Sequence, residues 1–277
     1  MITSNKIHKT AIINENAKIA PDVEIGAYAV IGEDVEIESG CKIGESANIQ
    51  FAKIGKNTKI SPFASIGGEP QDLGYKGEKT GVIIGENCWI REFATVNRAS
   101  GEGTNTIVGN NCLLMAYSHV AHNCVLGDNV IMANAATIGG HCHVGFGAFL
   151  GGMSVFHQNL RIGDMAIISG ASAARLDIIP YCKAEGIPCL PIGLNAIGLR
   201  RKGVDKESRD AIHKAIRILR NEQYNTTQAL ELIESEFKGN KYVDNLVNFV
   251  RTSKRGCTLR YKAAYHGAME EGEGDNV

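Results

Sequence analysis

Met115-Ala116-Tyr117-Ser118-His119-Val120-Ala121-His122-Asn123-Cys124-Val125-Leu126-Gly127 sets a small residue at 118 and 124, a large aliphatic one at 120 and 126, and a glycine after the second. The interval is six, and it runs outward in both directions. Upstream, Ile7, Ile13, Ile19, Ile25, Ile31, Ile37, Ile43 and Ile49 keep it. One residue is then dropped, and the beat resumes at Ile54, Ile60 and Ile66, then at Ile84, Ile90 and Val96. It returns at Val108 and Leu114 and continues past the quoted run through Met132, Ile138, Val144, Leu150, Phe156, Ile162 and Ile168. Two residues before each large position stands a small one, as at Ala11, Ala17, Ala29, Cys41, Ala47, Ala94, Cys112 and Ala136.

Neither the 3.6-residue period of an α-helix nor the two-residue period of a strand gives this pattern. A short strand and a tight turn per hexad does. The large residue fills an interior, the small one near the corner also points in, and glycine permits the turn. Three hexads close one triangular coil, so positions 18 apart stack, and coils repeat at strand spacing, ~4.8 Å. The expected fold is mainly β: a parallel β-helix of hexapeptide repeats. Such hexads resemble the left-handed members of that class, an exception to the right-handed crossover.

Residues 1–190 are assigned to the β-helix, interrupted by insertions at 67–83 and 97–107; such excursions carry function or are disordered. Pro180, Pro188 and Pro191 mark the exit. Residues 191–261 form a small α-helical C-terminal domain. One helix is expected after Asp205 as N-cap, with Ile212, Ile216 and Leu219 on one face. A second starts near Asn225 or Thr226, with Leu230, Leu232 and Ile233 apolar, and a third covers 241–252. The acidic tail, 262–277, is expected to be disordered.

The formal net charge of −1 points to no polyanionic partner, so nucleic acid is not expected. No run of about 18 apolar residues is present, so no transmembrane segment is expected, and the N-terminus does not read as a signal peptide. A cytoplasmic location follows as the expectation. The eight cysteines include no C-x-x-C pair. Cys41, Cys88, Cys112, Cys124 and Cys142 occupy the small inward column, where a thiol packs as a small hydrophobe. Cys182, Cys189 and Cys257 are left without a role.

The repeat also says which residues meet. Position 140 stacks on His122, so His141 falls within a residue of it on the next coil. His157 lies two coils above position 121, and His119 shares the coil of His122. Four of the eight histidines therefore line one edge, and Gly151, Gly152 and Gln158 are expected nearby, glycine letting a substrate approach the backbone. An imidazole serving as general base near neutral pH fits this cluster. So does zinc held by His119, His122 and His141, as in a carbonic-anhydrase-like hydratase. So does a non-catalytic scaffold with solvated histidines. Gln71-Asp72 in the first insertion suits hydrogen bonds to a sugar or a base. Arg200-Arg201-Lys202, after Asn195, suits phosphate or an acidic protein. Prisms of this class commonly assemble about a parallel axis, so a homotrimer with clefts between subunits is expected.

Pro70-Gln71-Asp72-Leu73, Met115 through Cys124, Ala136-Thr137-Ile138-Gly139-Gly140-His141, Gly151-Gly152-Met153-Ser154-Val155-Phe156-His157-Gln158, and Gly193-Leu194-Asn195 through Gly203 are more specific than the hexads. On these motifs, over about residues 5–260, the chain resembles the UDP-N-acetylglucosamine O-acyltransferases, first enzymes of lipid A biosynthesis. The resemblance implies transfer of an (R)-3-hydroxyacyl group from the phosphopantetheine of acyl carrier protein to the 3-hydroxyl of UDP-N-acetylglucosamine, with no cofactor or metal of the enzyme's own. It implies His122 as base and the Gly140 amide as oxyanion donor. Asp72 and His119, with Gln71, would hold the glucosamine. His141 and Gln158 would contact the acceptor sugar or the acyl carbonyl region, His157 the nucleotide, and Asn195 and Arg201 the UDP end. Arg200 and Lys202 would dock the carrier protein, and Gly170 would leave room for a long acyl chain. Three positions depart from the family pattern: Gly74 replaces a common lysine, Asn123 an aspartate, and Ile197 an acidic residue. Losing the aspartate should make His122 less basic. That keeps open a 3-amino sugar as acceptor, with an amide product.

Overall fold

The computed structural model describes residues 6–260; the expectation for the tail at 262–277 lies outside them. Three parallel sheets form the walls of a left-handed prism. The strands Lys6–Ile7, Ile12–Ile13 and Lys18–Ile19 open the first, second and third walls, and later strands join them in rotation. Ladder partners are Lys6 with Glu24 and Ile7 with Ile25, one 18-residue coil apart. At the dropped residue Glu36 pairs with Lys53 and Ile37 with Ile54, a 17-residue coil, and the beat survives because the loss falls in a corner, between Asn48–Ile49 and Ala52–Ile54.

The large column is the core. Ile25, Ile31, Ile37, Ile49, Leu114, Leu126 and Met132 are at most 2% exposed. The thiols of the small column are buried and hydrogen-bonded: Cys124 Sγ donates to Gly139 O (3.1 Å) and Cys142 Sγ to His157 O (3.2 Å). Burial pushes the Cys41 thiol up to about 11, so it stays protonated and unreactive. Cys182, Cys189 and Cys257 are also free thiols, the first two buried.

The role expected for the repeat glycines needs correcting. Most corner residues with positive φ are not glycine: Tyr28, Phe63, Phe93 and Tyr117 on one corner, Asn57, Asn87, Asn111 and Asn129 on another, Asn123, His141 and Asn159 on the third. Asparagine tolerates this region best. The repeat glycines instead let coils approach. A Cβ at Gly44 would lie 2.6 Å from Pro62 N, and one at Gly163 would lie 2.3 Å from Pro180 N.

Both insertions are shorter than the sequence suggested. Strand Ser65–Gly68 and strand Gly81–Ile84 bracket the first, leaving residues 69–80 off the wall; Thr95–Asn97 and Asn105–Val108 bracket the second, leaving 98–104. Val82 and Thr106 are buried and pair in the third-wall ladder. They continue the small column two residues before Ile84 and Val108.

The first wall ends in a hairpin. Strand Cys182–Glu185 pairs parallel with Ile167–Ile168 and antiparallel with Leu190–Leu194. The helical part therefore starts at Asn195, not 191. Four helices follow: α1, Ala196–Arg201; α2, Lys206–Arg220; α3, Thr226–Glu236; and α4, Lys241–Arg251. The last three match the expected spans; α1, a short helix burying only Leu199, had too little pattern to be foreseen. Asp205 caps α2 by accepting from Ser208 N (2.7 Å), and Asn225 with Gln228 forms a capping box on α3. The helices are tied to the prism end by Asn245, which donates to Asp164 Oδ2 (3.0 Å) and Tyr181 Oη (2.6 Å). No helix among the described residues is long and apolar enough to cross a membrane.

Candidate active site

His122 sits on the corner where the second wall, strand His119–Val120, turns into the third, strand Val125–Leu126. Both insertions leave the prism from this same corner, on the two preceding coils. On the next coil the corner carries Gly140 and His141, and on the one after it His157 and Gln158. The stacking is direct: His141 N donates to His122 O (3.0 Å), and Asn159 N donates to Gly140 O (2.8 Å).

The tautomer of His122 follows from its neighbours. Asn123 Oδ1 accepts from Ser100 N (2.9 Å) while its Nδ2 donates to Ser100 O (2.9 Å), which fixes the amide orientation. Oδ1 can only accept, so His122 Nδ1, 2.8 Å away, is the donor. The Nε2 lone pair is left free. His122 is 8% exposed, and its ring packs edge-on against that of His141, ring centres 5.2 Å apart. A Cβ at Gly140 would sit 2.5 Å from His122 Nε2, so only glycine leaves room for the imidazole there. Among the described residues, the Gly140 N–H has no acceptor.

Asp72 faces this cluster from the first insertion. A hydrogen bond from the Ser100 hydroxyl, the Gly74 amide, and the charges of His122 and His141 hold its carboxyl below the usual carboxylate range. Its Oδ1 accepts from Gly74 N (2.9 Å). Gln71, beside it, is exposed. His119 points outward from the second wall, with Nδ1 2.7 Å from Thr95 Oγ1. Burial first, then the His122 charge, lowers the His119 pKa; the same causes in the same order lower that of His141, with Asp72 opposing. These two rings are thus disposed to hydrogen-bond as neutral groups beside His122. His157 and Gln158 are exposed, and His157 Nδ1 lies 3.2 Å from Gln158 O.

Other expected residues stand elsewhere. Gly152 lies on the corner between the first and second walls, with Gly170 stacked on it: a Cβ at 170 would come 3.1 Å from Gly152 O. The expectation that Gly151 and Gly152 fall beside the histidines is therefore wrong. Position 152 is 30 residues past 122, one coil plus two hexads, so it falls on a different corner. Asn195 and Lys202 lie at the far edge of the third wall. Asn195 Nδ2 donates to Met165 O (2.8 Å) and its Oδ1 accepts from Gly198 N (3.0 Å), so its side chain caps α1. Lys202 Nζ lies 3.4 Å from Asn129 Oδ1 and 5.2 Å from the Phe146 ring centre. Arg200 and Arg201 are exposed on the last turn of α1. Among the described residues, no three His, Cys, Asp or Glu side chains are arranged to hold a metal ion.

Ser100 was not foreseen. It lies in an insertion, where repeat arithmetic assigns no neighbours, yet it holds both Asn123 and Asp72.

The chain has counterparts among known proteins. Residues 16–51 and 105–140 match the bacterial transferase hexapeptide model, and residues 177–258 match the second domain of UDP-N-acetylglucosamine O-acyltransferase. An acyl-[acyl-carrier-protein]--UDP-N-acetylglucosamine O-acyltransferase of Campylobacter lari is 41% identical over 266 residues, covering 95% of this chain and 100% of the relative. The chain belongs to the UDP-N-acetylglucosamine O-acyltransferase family. A family member from Chlamydia abortus is 42% identical over 96% of this chain and 95% of its own. The solved structure of LpxA, a UDP-N-acetylglucosamine acyltransferase from Bacteroides fragilis, superposes with a TM-score of 0.88 at 38% identity, covering 91% of this chain and 99% of that one. This family membership spans the prism, both insertions and the helices.

Proposed function

We propose that this chain moves an (R)-3-hydroxyacyl group from the phosphopantetheine of acyl carrier protein to the 3-hydroxyl of UDP-N-acetylglucosamine, the first step of lipid A biosynthesis. The observation that carries the mechanism is the free Nε2 of His122, oriented by Asn123 and lying over Gly140. Nε2 takes the proton of the acceptor hydroxyl as its oxygen attacks the thioester carbon. The oxyanion that forms accepts from the Gly140 N–H. Collapse breaks the carbon–sulfur bond, and the imidazolium returns its proton to the leaving thiolate. Asp72, Gln71 and His119 hold the glucosamine, and His141 and Gln158 bracket the reacting region. In this reading no metal or other cofactor of the enzyme takes part.

The remaining contacts come from a homotrimer. His122 and the Asn195–Lys202 segment lie at opposite edges of the third wall, so a neighbouring subunit is needed to bring the second group to the cleft. There Arg201 and Asn195 hold the UDP end together with His157, and Arg200 and Lys202 dock the acidic carrier protein. Asn195 contributes through the backbone it caps, since its own amide is engaged. The acyl chain runs toward Gly170 and Gly152. The reading assigns the enzyme to the cytoplasm.

Asn123 favours a second acceptor. An amide orients His122 without stabilising the imidazolium, and an amine nucleophile needs less from its base. A panel of acyl carrier protein thioesters assayed against UDP-N-acetylglucosamine and its 3-amino analogue, with mass analysis of the product, tests both. An ester on the first sugar supports the main reading; product on the amino sugar alone overturns it for the amide.

A further inference from the structure

The loop at 69–80 carries Asp72 but has no strand to hold it. What holds it is Arg98, at the root of the other insertion and 7% exposed. Its Nη1 donates to Gly67 O (3.1 Å), its Nη2 to Glu69 Oε1 (3.2 Å) and its Nε to Tyr75 Oη (3.1 Å). Its backbone N–H donates to Gly68 O (2.9 Å). The guanidinium lies 4.4 Å from the Phe51 ring centre and 5.4 Å from that of Tyr75. One side chain therefore grips the loop's entrance at residues 67–69 and, at Tyr75, a point beyond Asp72. Tyr75 passes the grip on: its N–H donates to Asp72 O (3.1 Å) and its hydroxyl to Glu78 O (3.0 Å). Asn97 Nδ2 adds a bond to Glu69 O (2.9 Å).

Stability alone is a poor reason for this arrangement. Among the described residues, the only carboxylate on the guanidinium is that of Glu69, whose side chain is 75% exposed, and an exposed carboxylate compensates a buried cation weakly. A methionine would fill the space between Phe51 and Tyr75 without a desolvated charge. What it lacks is direction: the planar fork fixes three acceptors in one plane and so fixes the loop's course. The loop's cargo is Asp72, whose carboxyl feels the charges of His122 and His141.

We infer that Arg98 is a positioning residue for acceptor binding: it touches no substrate and holds the Asp72 loop where the sugar is received. This rests on the reading of Asp72 as a sugar ligand. The test is steady-state kinetics of R98M, R98K and Y75F with D72N in parallel, together with limited trypsin cleavage at exposed Lys76. In R98M the KM for UDP-N-acetylglucosamine should rise about tenfold while kcat at saturating sugar stays within about twofold, R98K and Y75F falling between it and the parent. Cleavage after Lys76 should quicken in the same order. Unchanged KM and unchanged cleavage in a folded R98M overturn the clamp; should R98M not fold, the same two readouts in R98K and Y75F decide. A KM that moves in R98M but not in D72N, with cleavage quickened, supports the clamp and sinks the Asp72 assignment instead.

Discussion

The Nε2 lone pair of His122, proposed to accept the proton of the acceptor, owes its availability to one amide. Ser100 fixes the Asn123 side chain with two backbone hydrogen bonds, and Asn123 in turn fixes the His122 tautomer. An aspartate at 123 would orient the ring too, but would also stabilise its charged form. In Asn123→Asp, the acid limb of kcat/KM against pH should therefore move up by about one pH unit, since a carboxylate raises the imidazolium pKa. A limb that stays put or moves down would contradict the orientation described for Asn123. Sequence reasoning reached His119, His122, His141 and His157 because all four are in register, and stacking arithmetic applies to them. It could not reach Ser100, Arg98 or Thr95 as partners: the first two are out of register, and Thr95 is in register but its pairing with His119 crosses a coil lengthened by the second insertion. Gly152 was set on the wrong edge because nearness in sequence was allowed to override the count of hexads.

Among the elements, the hexad is nearly transparent in the sequence. Side chains of the two inward columns make up most of the prism core; Ala121 and Met165, off both columns, are also buried in it. What the letters did not reveal was why glycine follows so many of the large residues. Turning is done by asparagines and aromatics at positive φ, and the glycines answer to the neighbouring coil. Gly163→Ala tests this. Its Cβ would meet the backbone of Pro180, 2.3 Å from N and 2.5 Å from Cα, and a proline held in the next turn has little freedom to move away. Destabilisation of about 1–3 kcal/mol is expected, read as a lower Tm; a Tm equal to the parent's would show that turn geometry, not coil approach, sets this position. Helices α2 to α4 were legible from their caps and apolar faces, whereas α1 buries one side chain and left no period to read.

For the whole molecule, the prism distributes the residues proposed to function over separate corners. His122, the proposed base, and both insertions share one, the α1 segment lies at another, and the glycines proposed to admit the acyl chain at the third. A single chain does not bring them together, which is the physical ground for expecting a trimer. Sedimentation equilibrium should give three times the chain mass of 29.8 kDa; an active monomer would contradict a site shared between subunits. Assembly was not legible beyond the general habit of such prisms, because the outward columns carry no period of their own.

The central claim is that His122 removes the acceptor proton, and the single-turnover rate of acyl transfer by His122→Ala tests it most directly. With the variant's sedimentation and circular dichroism matching the parent's, the rate should fall by about 10²–10⁴-fold, the usual contribution of a positioned general base. A rate within a few-fold of the parent's would contradict it.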